Sequence, residues 1–263
     1  MLEITSSKNA VIKEIKSLSR RKNRWREKLF IIEGIKIIEE ALVSSVSIKH
    51  IFFSDALFEA EGGEDLFGRI KLLQSTIKLS RAVFNDITDI ENPQGVLAIA
   101  EFKERKMEDV FEIDNPSIIF LDGLNDPGNL GTIIRTADAF NIDAIVLGEN
   151  SVDPYNSKVV RSTMGSIFRV PLYNCKNNDL FFKYIIENKI NIITTSLSGD
   201  TLEKEIFKDS FVAVIGNEAN GVSQEILANS TKLVKIPMPG LAESLNAGVA
   251  ASIIMYEAMR SRE

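Results

Sequence analysis

The side chains best suited to chemistry sit at glycine-punctuated turns in the second half of the chain. "DPGNLGTIIRTADAF" (126–140) carries Asn129 and Arg135. "VIGNEANGVS" (214–223) sets Asn217 and Glu218 between Gly216 and Gly221, and "AESLNAGVAAS" (242–252) carries Ser244 and Asn246. An arginine, amides, a carboxylate and a hydroxyl can align two reactive partners and stabilise charge as it develops. They are poorly equipped for hydrolysis. The one histidine, His50, lies in another part of the chain, and the one cysteine, Cys175, lacks the surroundings of a nucleophile. No Cys/His cluster has metal-ligand spacing, so no metal is expected. The dinucleotide fingerprint G-x-G-x-x-G and the phosphate loop G-x-x-x-x-G-K-[ST] are both missing, which disfavours a nicotinamide or nucleoside-triphosphate enzyme.

Each feature also has a plainer reading. A lone helical arginine such as Arg135 ordinarily belongs to a solvated face. A carboxylate at a strand end, such as Glu218, needs a partner if buried, and Arg135 is one choice. The run of small residues after Asn246 buries little apolar area, and Gly248 costs about 1 kcal/mol in a helix interior. Such a helix is either pared down so that another backbone can approach, or its first amides hold a ligand. In "DPYNSKVVRSTMGS" (153–166), Asn156, Lys158 and Arg161 form a cationic cluster at a loop-to-helix turn, suited to a phosphate backbone or to plain solvent.

These residues need a frame that brings distant turns together. From residue 117 the runs "SIIFLDG", "DAIVLGE", "INIITTS", "FVAVIGN" and "KLVKIPM" are short and nearly continuously apolar, as in parallel strands buried on both faces. Helical patterns alternate with them, which argues an α/β fold with a parallel sheet, whose ligands gather at the carboxyl ends of the strands. The helix after the first strand is expected from about Leu130, with Asn129 as its N-cap. Before residue 103, "NAVIKEIKSLSR" has the i, i+3, i+4, i+7 spacing of a helix. "LFIIE", "IKHIFFS" and "GVLAIAEF" read as strands. The expected division is a basic helical leader and small α/β domain over 1–102, a charged linker over 103–116, and an α/β domain over 117–263.

The 263 residues and 44% apolar content suit one large or two modest domains. No run reaches the roughly 20 apolar residues that cross a bilayer. The N-terminal hydrophobics are interrupted by charge, unlike a signal peptide. A single cysteine fits a reducing, cytoplasmic setting. Net charge is −6, yet residues 1–28 hold nine Lys/Arg against three acids. A basic arm on an acidic body reads as a handle for a polyanion or as a solvated, charge-rich helix. Arg20, Arg21 and Arg24 are the candidate contacts to such a polyanion, with Trp25 among them able to stack on a base.

Taken together, these stretches resemble the SpoU branch of the SPOUT superfamily, RNA ribose 2′-O-methyltransferases that use S-adenosylmethionine. The resemblance covers nearly the whole chain. It includes the leader "ITSSKNAVIKEIKSLSRRKNR", the pattern "FIIEGIKIIEEAL…IENPQGVLAIAEF" of an N-terminal substrate-binding domain, and three motifs in order: "DPGNLGTIIRTADAF", "VIGNEANGVS" and "IPMPGLAESLNAGVAASI". Asn141 stands where Gly is usual, and Ala219 replaces a common Gly. The resemblance implies a deep C-terminal trefoil knot, an exception among folds, behind a ribosomal-protein-like RNA-binding domain. It also implies a homodimer formed through the knotted domain. The cofactor would meet Thr195, Gly216, Ile236 and Leu245, with Asn217 nearby. Arg135 would act on the ribose 2′-hydroxyl, with Asn129, Glu218, Ser244 and Asn246 organising the site, and Lys158 and Arg161 would face RNA. A guanidinium keeps its proton, so Arg135 is read as an electrostatic stabiliser rather than a free base. The expected substrate is ribosomal RNA. The alternatives are a tRNA methyltransferase and a non-catalytic ribosome-assembly factor.

Overall fold

Short apolar runs become strands and amphipathic stretches become helices along residues 3–262, which the computed structural model describes. The first part holds β1 (Glu3–Ile4), α1 (Ala10–Ser17), α2 (Arg21–Glu27), β2 (Leu29–Glu33) and α3 (Ile35–Val43). It continues with β3 (Ile48–Phe53), α4 (Gly63–Ile70), β4 (Thr76–Leu79), α5 (Arg81–Asn85) and β5 (Val96–Glu101). The second part holds β6 (Ser117–Leu121), α6 (Pro127–Ala139), β7 (Ala144–Leu147), α7 (Ser157–Ser162), β8 (Leu172–Asn174) and α8 (Asn178–Glu187). It closes with β9 (Asn191–Thr201), β10 (Phe211–Ile215), α9 (Gln224–Asn229), β11 (Lys232–Lys235) and α10 (Ala247–Arg262). Two compact units result. One takes the chain up to Lys103 together with Tyr155–Phe168, and the other takes Glu104–Pro154 and everything from Arg169.

The first unit is built on a mixed five-stranded sheet in the order β1-β4-β3-β5-β2. β3 pairs parallel with β4 and antiparallel with β5, which in turn pairs antiparallel with β2. Ile12, Ile15 and Leu18 of the leader are buried with Phe52, Leu79, Phe84, Leu97 and Ile99. Each such side chain contributes roughly 1.5–3 kcal/mol, so the leader is part of the core and not a free arm. Asn9 caps α1 by accepting from the Val11 amide. At the other end Arg24, 5% exposed, donates to the Leu18 and Ser19 carbonyl oxygens at 2.7 and 2.8 Å. That arginine closes the α1–α2 corner instead of facing out. Trp25 is also engaged within the protein, edge-on to Phe102 and Tyr155.

In the second unit all six strands are parallel, in the order β11-β9-β10-β6-β7-β8. The short β8 was not among the strands expected from apolar runs, because Leu172–Asn174 offers too few residues for a pattern. β6, β7 and β10 are buried along their whole length, as strands covered on both faces must be. Phe120, Phe181, Phe182, Val212 and Val214 share their core. From β6, the chain first builds outward through β7 and β8, then returns to lay β9, β10 and β11 on the other side. The connections of β6 and β10, which are parallel neighbours, therefore lead to opposite sides of the sheet order. Asn141 takes the left-handed conformation (φ 52°) after α6, as its type allows.

The final helix explains its own composition. Gly248, Ala251, Ile254, Met255 and Ala258 form its buried side. A Cβ on Gly248 would lie 3.3 Å from the Thr132 side chain of α6, so small residues let α10 lie close against α6. Thr136 and Ser252 hydroxyls pair across the contact at 3.0 Å. At its far end the Arg262 guanidinium donates to the carbonyl oxygens of Asn115, Phe207 and Asp209 at 2.9–3.1 Å. That fork ties the end of the chain to the start of the sheet.

Candidate active site

In open parallel sheets, ligands bind where neighbouring strands lead their connections to opposite sides. Here that point lies between β6 and β10, and it is where the glycine-punctuated turns meet. Asn217 Nδ2 donates to the Gly123 carbonyl at 2.7 Å, and the Ser223 amide donates to Asp122 at 2.8 Å. The loop after β10 closes on itself through paired bonds between Asn217 and Gly221. A Cβ on Gly216 would fall 2.3 Å from the Gly221 carbonyl carbon. Only glycine fits there.

The start of α6 differs from the sequence expectation. Its N-cap is Asp126, whose Oδ1 accepts from the Asn129 amide at 2.8 Å, and Pro127 occupies the first turn. A proline there loses no hydrogen bond, which pulls the boundary upstream of Asn129. The Asn129 side chain is thereby released. Its Nδ2 donates to Glu218 Oε1 at 2.9 Å, and its Oδ1 accepts from Asn246 Nδ2 at 2.7 Å. Asn246 Oδ1 in turn accepts from the Gly248 and Val249 amides and caps α10. One side-chain chain thus links three turns that are far apart in sequence.

Glu218 is exposed, and its partners are Asn129 and the Asn125 and Asp126 amides rather than Arg135. Partial burial pushes its carboxyl up, but these hydrogen bonds and one from its own amide outweigh it and hold the group below the ordinary glutamate value of 4.5. A lowered carboxyl contributes stability that is present above 4.5 and is lost as pH falls through the lowered value. Protection of the Asn125 and Asp126 amides against hydrogen exchange should therefore fall on acidification. In Glu218→Gln it should be weaker at neutral pH and flat through the same range. Acid-independent protection in the wild type would contradict this account.

Beside this chain opens a cleft of about 720 Å³, lined by residues of four segments: Thr195–Leu197, Ile215–Val222, Val234–Met238 and Glu243–Ala250. Thr195, Gly216, Asn217, Ile236 and Leu245, the cofactor contacts that the family resemblance implies, all line it, as do Glu218, Ser244 and Asn246. The volume is that of a site for a cofactor-sized molecule. Ile215, Val222, Val234, Ile236 and Leu245 supply apolar wall, and Gly216 brings bare backbone to the edge. Those features suit an adenosine recognised through main-chain groups. Ile215, Val222, Val234 and Met238 were not singled out from sequence, where they look like ordinary core positions.

Arg135 is exposed on α6, six residues beyond Asn129, and does not line the cleft. Arg20 and Arg21 are exposed where α2 begins, and Lys158 is exposed on α7, whereas Arg161 is half-buried. Cys175 is buried; burial pushes its thiol up, and Sγ points to the Asn177 carbonyl. A thiol held protonated is no nucleophile. Among the described residues there is no group of acids, histidines and cysteines that could hold a metal ion, and no helix long and apolar enough to cross a membrane.

Comparison with known proteins matches this geometry. Residues 116–256 fit the model of the SpoU rRNA Methylase family, and residues 9–98 fit an MRM3-like substrate binding domain. The 23S rRNA (guanosine(2553)-2'-O)-methyltransferase RlmP of Bacillus subtilis (strain 168) is 35% identical over 257 residues, covering 97% of this chain and 98% of its own. An AdoMet-bound rRNA methyltransferase from Sinorhizobium meliloti superposes with a TM-score of 0.82 at 30% identity, over 98% of this chain and 97% of its own. The SpoU methyltransferase AviRb from Streptomyces viridochromogenes, in complex with AdoMet, gives a TM-score of 0.82 at 25% identity, over 96% and 98%. With both parts of the chain matched and the turns assembled as described, the protein belongs to the SpoU rRNA methylase family.

Proposed function

We propose that this protein transfers a methyl group from S-adenosylmethionine to a ribose 2′-hydroxyl of ribosomal RNA. The observation that carries the reading is the Glu218–Asn129–Asn246 chain at the edge of the cofactor-sized cleft, with Arg135 exposed on the same helix as Asn129. The bound cofactor supplies a methyl group that is already strongly electrophilic, so the chain's task is alignment. Glu218, Asn129 and Asn246 fix the three turns, and Ser244 borders the cleft between them. Arg135 holds the target phosphate and stabilises the oxygen as negative charge develops, while the proton leaves to solvent.

The first unit reads RNA shape, since the reacting hydroxyl carries no base identity. Arg20, Arg21 and Lys158 are its proposed phosphate contacts. A ribosomal-protein-like ancestry for this unit and a trefoil knot in the second suit the mixed sheet and the return of α10 beneath the strands. Val249 and Tyr256, each nearly half exposed on α10, suit a homodimer formed through that helix. The substrate places the enzyme with ribosomes in the cytoplasm. A tRNA substrate is less favoured, because the 23S rRNA methyltransferase RlmP matches 97% of this chain, whereas the solved A. aeolicus tRNA modifying enzyme covers 58% of it.

The test is ribose-methylation mapping of rRNA and tRNA from cells with and without the gene. One rRNA position should lose its methyl group and regain it only with the wild-type gene. Loss at a tRNA position instead would transfer the substrate to the second reading, and no loss at any site would overturn the activity. In the purified protein, replacing Arg20 and Lys158 by Gln should reduce the slope of log affinity against log salt by about 0.7–0.9 per lost contact. An unchanged slope would remove those two residues from the RNA surface.

A further inference from the structure

Residues Tyr155–Phe168 lie within the methylase-family part of the sequence, yet they pack with the first unit. β2 is an edge strand of that unit's sheet, and a bare edge invites unwanted pairing. α7 lies against it. At one end of the segment, Tyr155 stacks on Phe102 with ring centres 3.8 Å apart and 18° between planes, and its ring lies 5.0 Å from Phe30. At the other end Gly165 (φ 96°) comes so close to Glu40 of α3 that a Cβ would lie 2.7 Å from that side chain. Val159, Val160, Thr163 and Ile167 are buried between these anchors.

One charge is buried beneath the segment. Glu33, the last residue of β2, is 8% exposed and accepts a hydrogen bond from the Thr88 hydroxyl. Burial pushes its carboxyl up, opposed by the Thr88 bond and by the positive charge of Arg161, with Asp89 adding repulsion. A buried carboxylate with one neutral donor needs a cation to compensate it. Arg161 lies on α7, the helix packed against β2, and it is half-buried where a phosphate contact would be open.

We propose that Tyr155–Phe168 is a strap completing the RNA-recognition unit, and that Arg161 is a positioning residue which balances Glu33 and so presents exposed Lys158 at the β2 edge. The consequence for the reaction rests on the rRNA-methyltransferase reading; the strap itself does not. Because the chain crosses between the two units at 103–104, 154–155 and 168–169, the recognition unit is completed by sequence that follows the first strands of the catalytic sheet.

The test uses the full-length protein with Arg161→Met, Glu33→Gln and the double variant. RNA affinity is measured across a salt series, alongside thermal midpoints and S-adenosylmethionine affinity. Arg161→Met should weaken RNA binding about tenfold, within the scale of coupling between neighbouring groups, with an unchanged salt slope and unchanged cofactor affinity. Adding Glu33→Gln should restore both RNA affinity and thermal midpoint to within about twofold and a degree or two, because no uncompensated charge then remains. A salt slope reduced by about one with no rescue would overturn the proposal and make Arg161 a phosphate contact. Normal behaviour of Arg161→Met in every measurement would overturn it too. If the wild type binds no rRNA fragment, the functional reading fails, and rescue of the thermal midpoint still decides the strap.

Discussion

Replacing Arg135 by alanine should slow methyl transfer by about 10²–10³-fold, the usual loss when a group stabilising a developing oxyanion is removed. Affinity for S-adenosylmethionine should stay within about twofold, because Arg135 does not line the cleft. The fold should be intact as well, since the side chain is exposed on α6 and the helix is capped by Asp126 and buried through Leu130, Ile133, Ile134 and Ala137. Single-turnover transfer to an rRNA substrate, with equilibrium cofactor binding beside it, separates the two effects. A variant that loses cofactor affinity in proportion to rate would show that Arg135 supports the cleft instead. Arg135→Lys refines the claim. Lysine keeps the charge and loses the planar fork, so an unimpaired lysine variant would rule out two-point recognition of phosphate and leave only the charge.

The second large effect belongs to Gly216. In Gly216→Ala the new methyl group would meet three backbone atoms, the Gly221 carbonyl carbon and oxygen and the Val222 nitrogen, at 2.3–2.6 Å. Backbone cannot rotate away as a side-chain tip can. The loop would have to open, breaking the paired Asn217–Gly221 bonds and displacing Asn217 from the Gly123 carbonyl. Overpacking of this kind costs typically about 1–3 kcal/mol, and the loss falls on a loop that forms one wall of the cleft. Cofactor affinity should drop about tenfold or more, with a lowered thermal midpoint. Wild-type affinity in this variant would mean that the loop after β10 does not cradle the cofactor.

Much of the frame was legible because burial on both faces leaves a continuous apolar run. "SIIFL", "AIVL" and "FVAVI" could be little else in an alternating chain, and the motif turns follow them directly. Legibility ended where a role depends on a distant partner. Asp126 and Asn129 are both good capping types, and only the proline between them, with Glu218 and Asn246 arriving from elsewhere, decides which one caps. Arg24 looks like any other cation of the leader, yet it serves two carbonyl oxygens inside the α1–α2 corner. Trp25 likewise reads as a stacking platform in sequence and is occupied by Phe102 and Tyr155 in the fold. The attachment of Tyr155–Phe168 to the first unit leaves no local trace, because its apolar residues have the same helical spacing whichever core they enter. Net charge was the weakest guide: the leader's excess is partly spent on Asp86 by Lys16, while Ile12, Ile15 and Leu18 hold α1 in the core.

The bond between Asn129 and Asn246 joins residues 117 positions apart, and the Arg262 fork is made by the last described residue of the chain. During synthesis, N-terminal structure forms first, at about 5–20 residues per second. The first unit's strands and most of the parallel sheet can therefore be translated before the cleft exists. Until α10 has left the ribosome, α6 lacks its cover, Asn129 lacks Asn246, and one wall of the cleft is absent. A nascent or prematurely terminated chain should consequently bind no S-adenosylmethionine, even when its leader and strands have already emerged. Competence for methyl transfer should in this sense await α10, and a message truncated before Asn246 should encode an inert product.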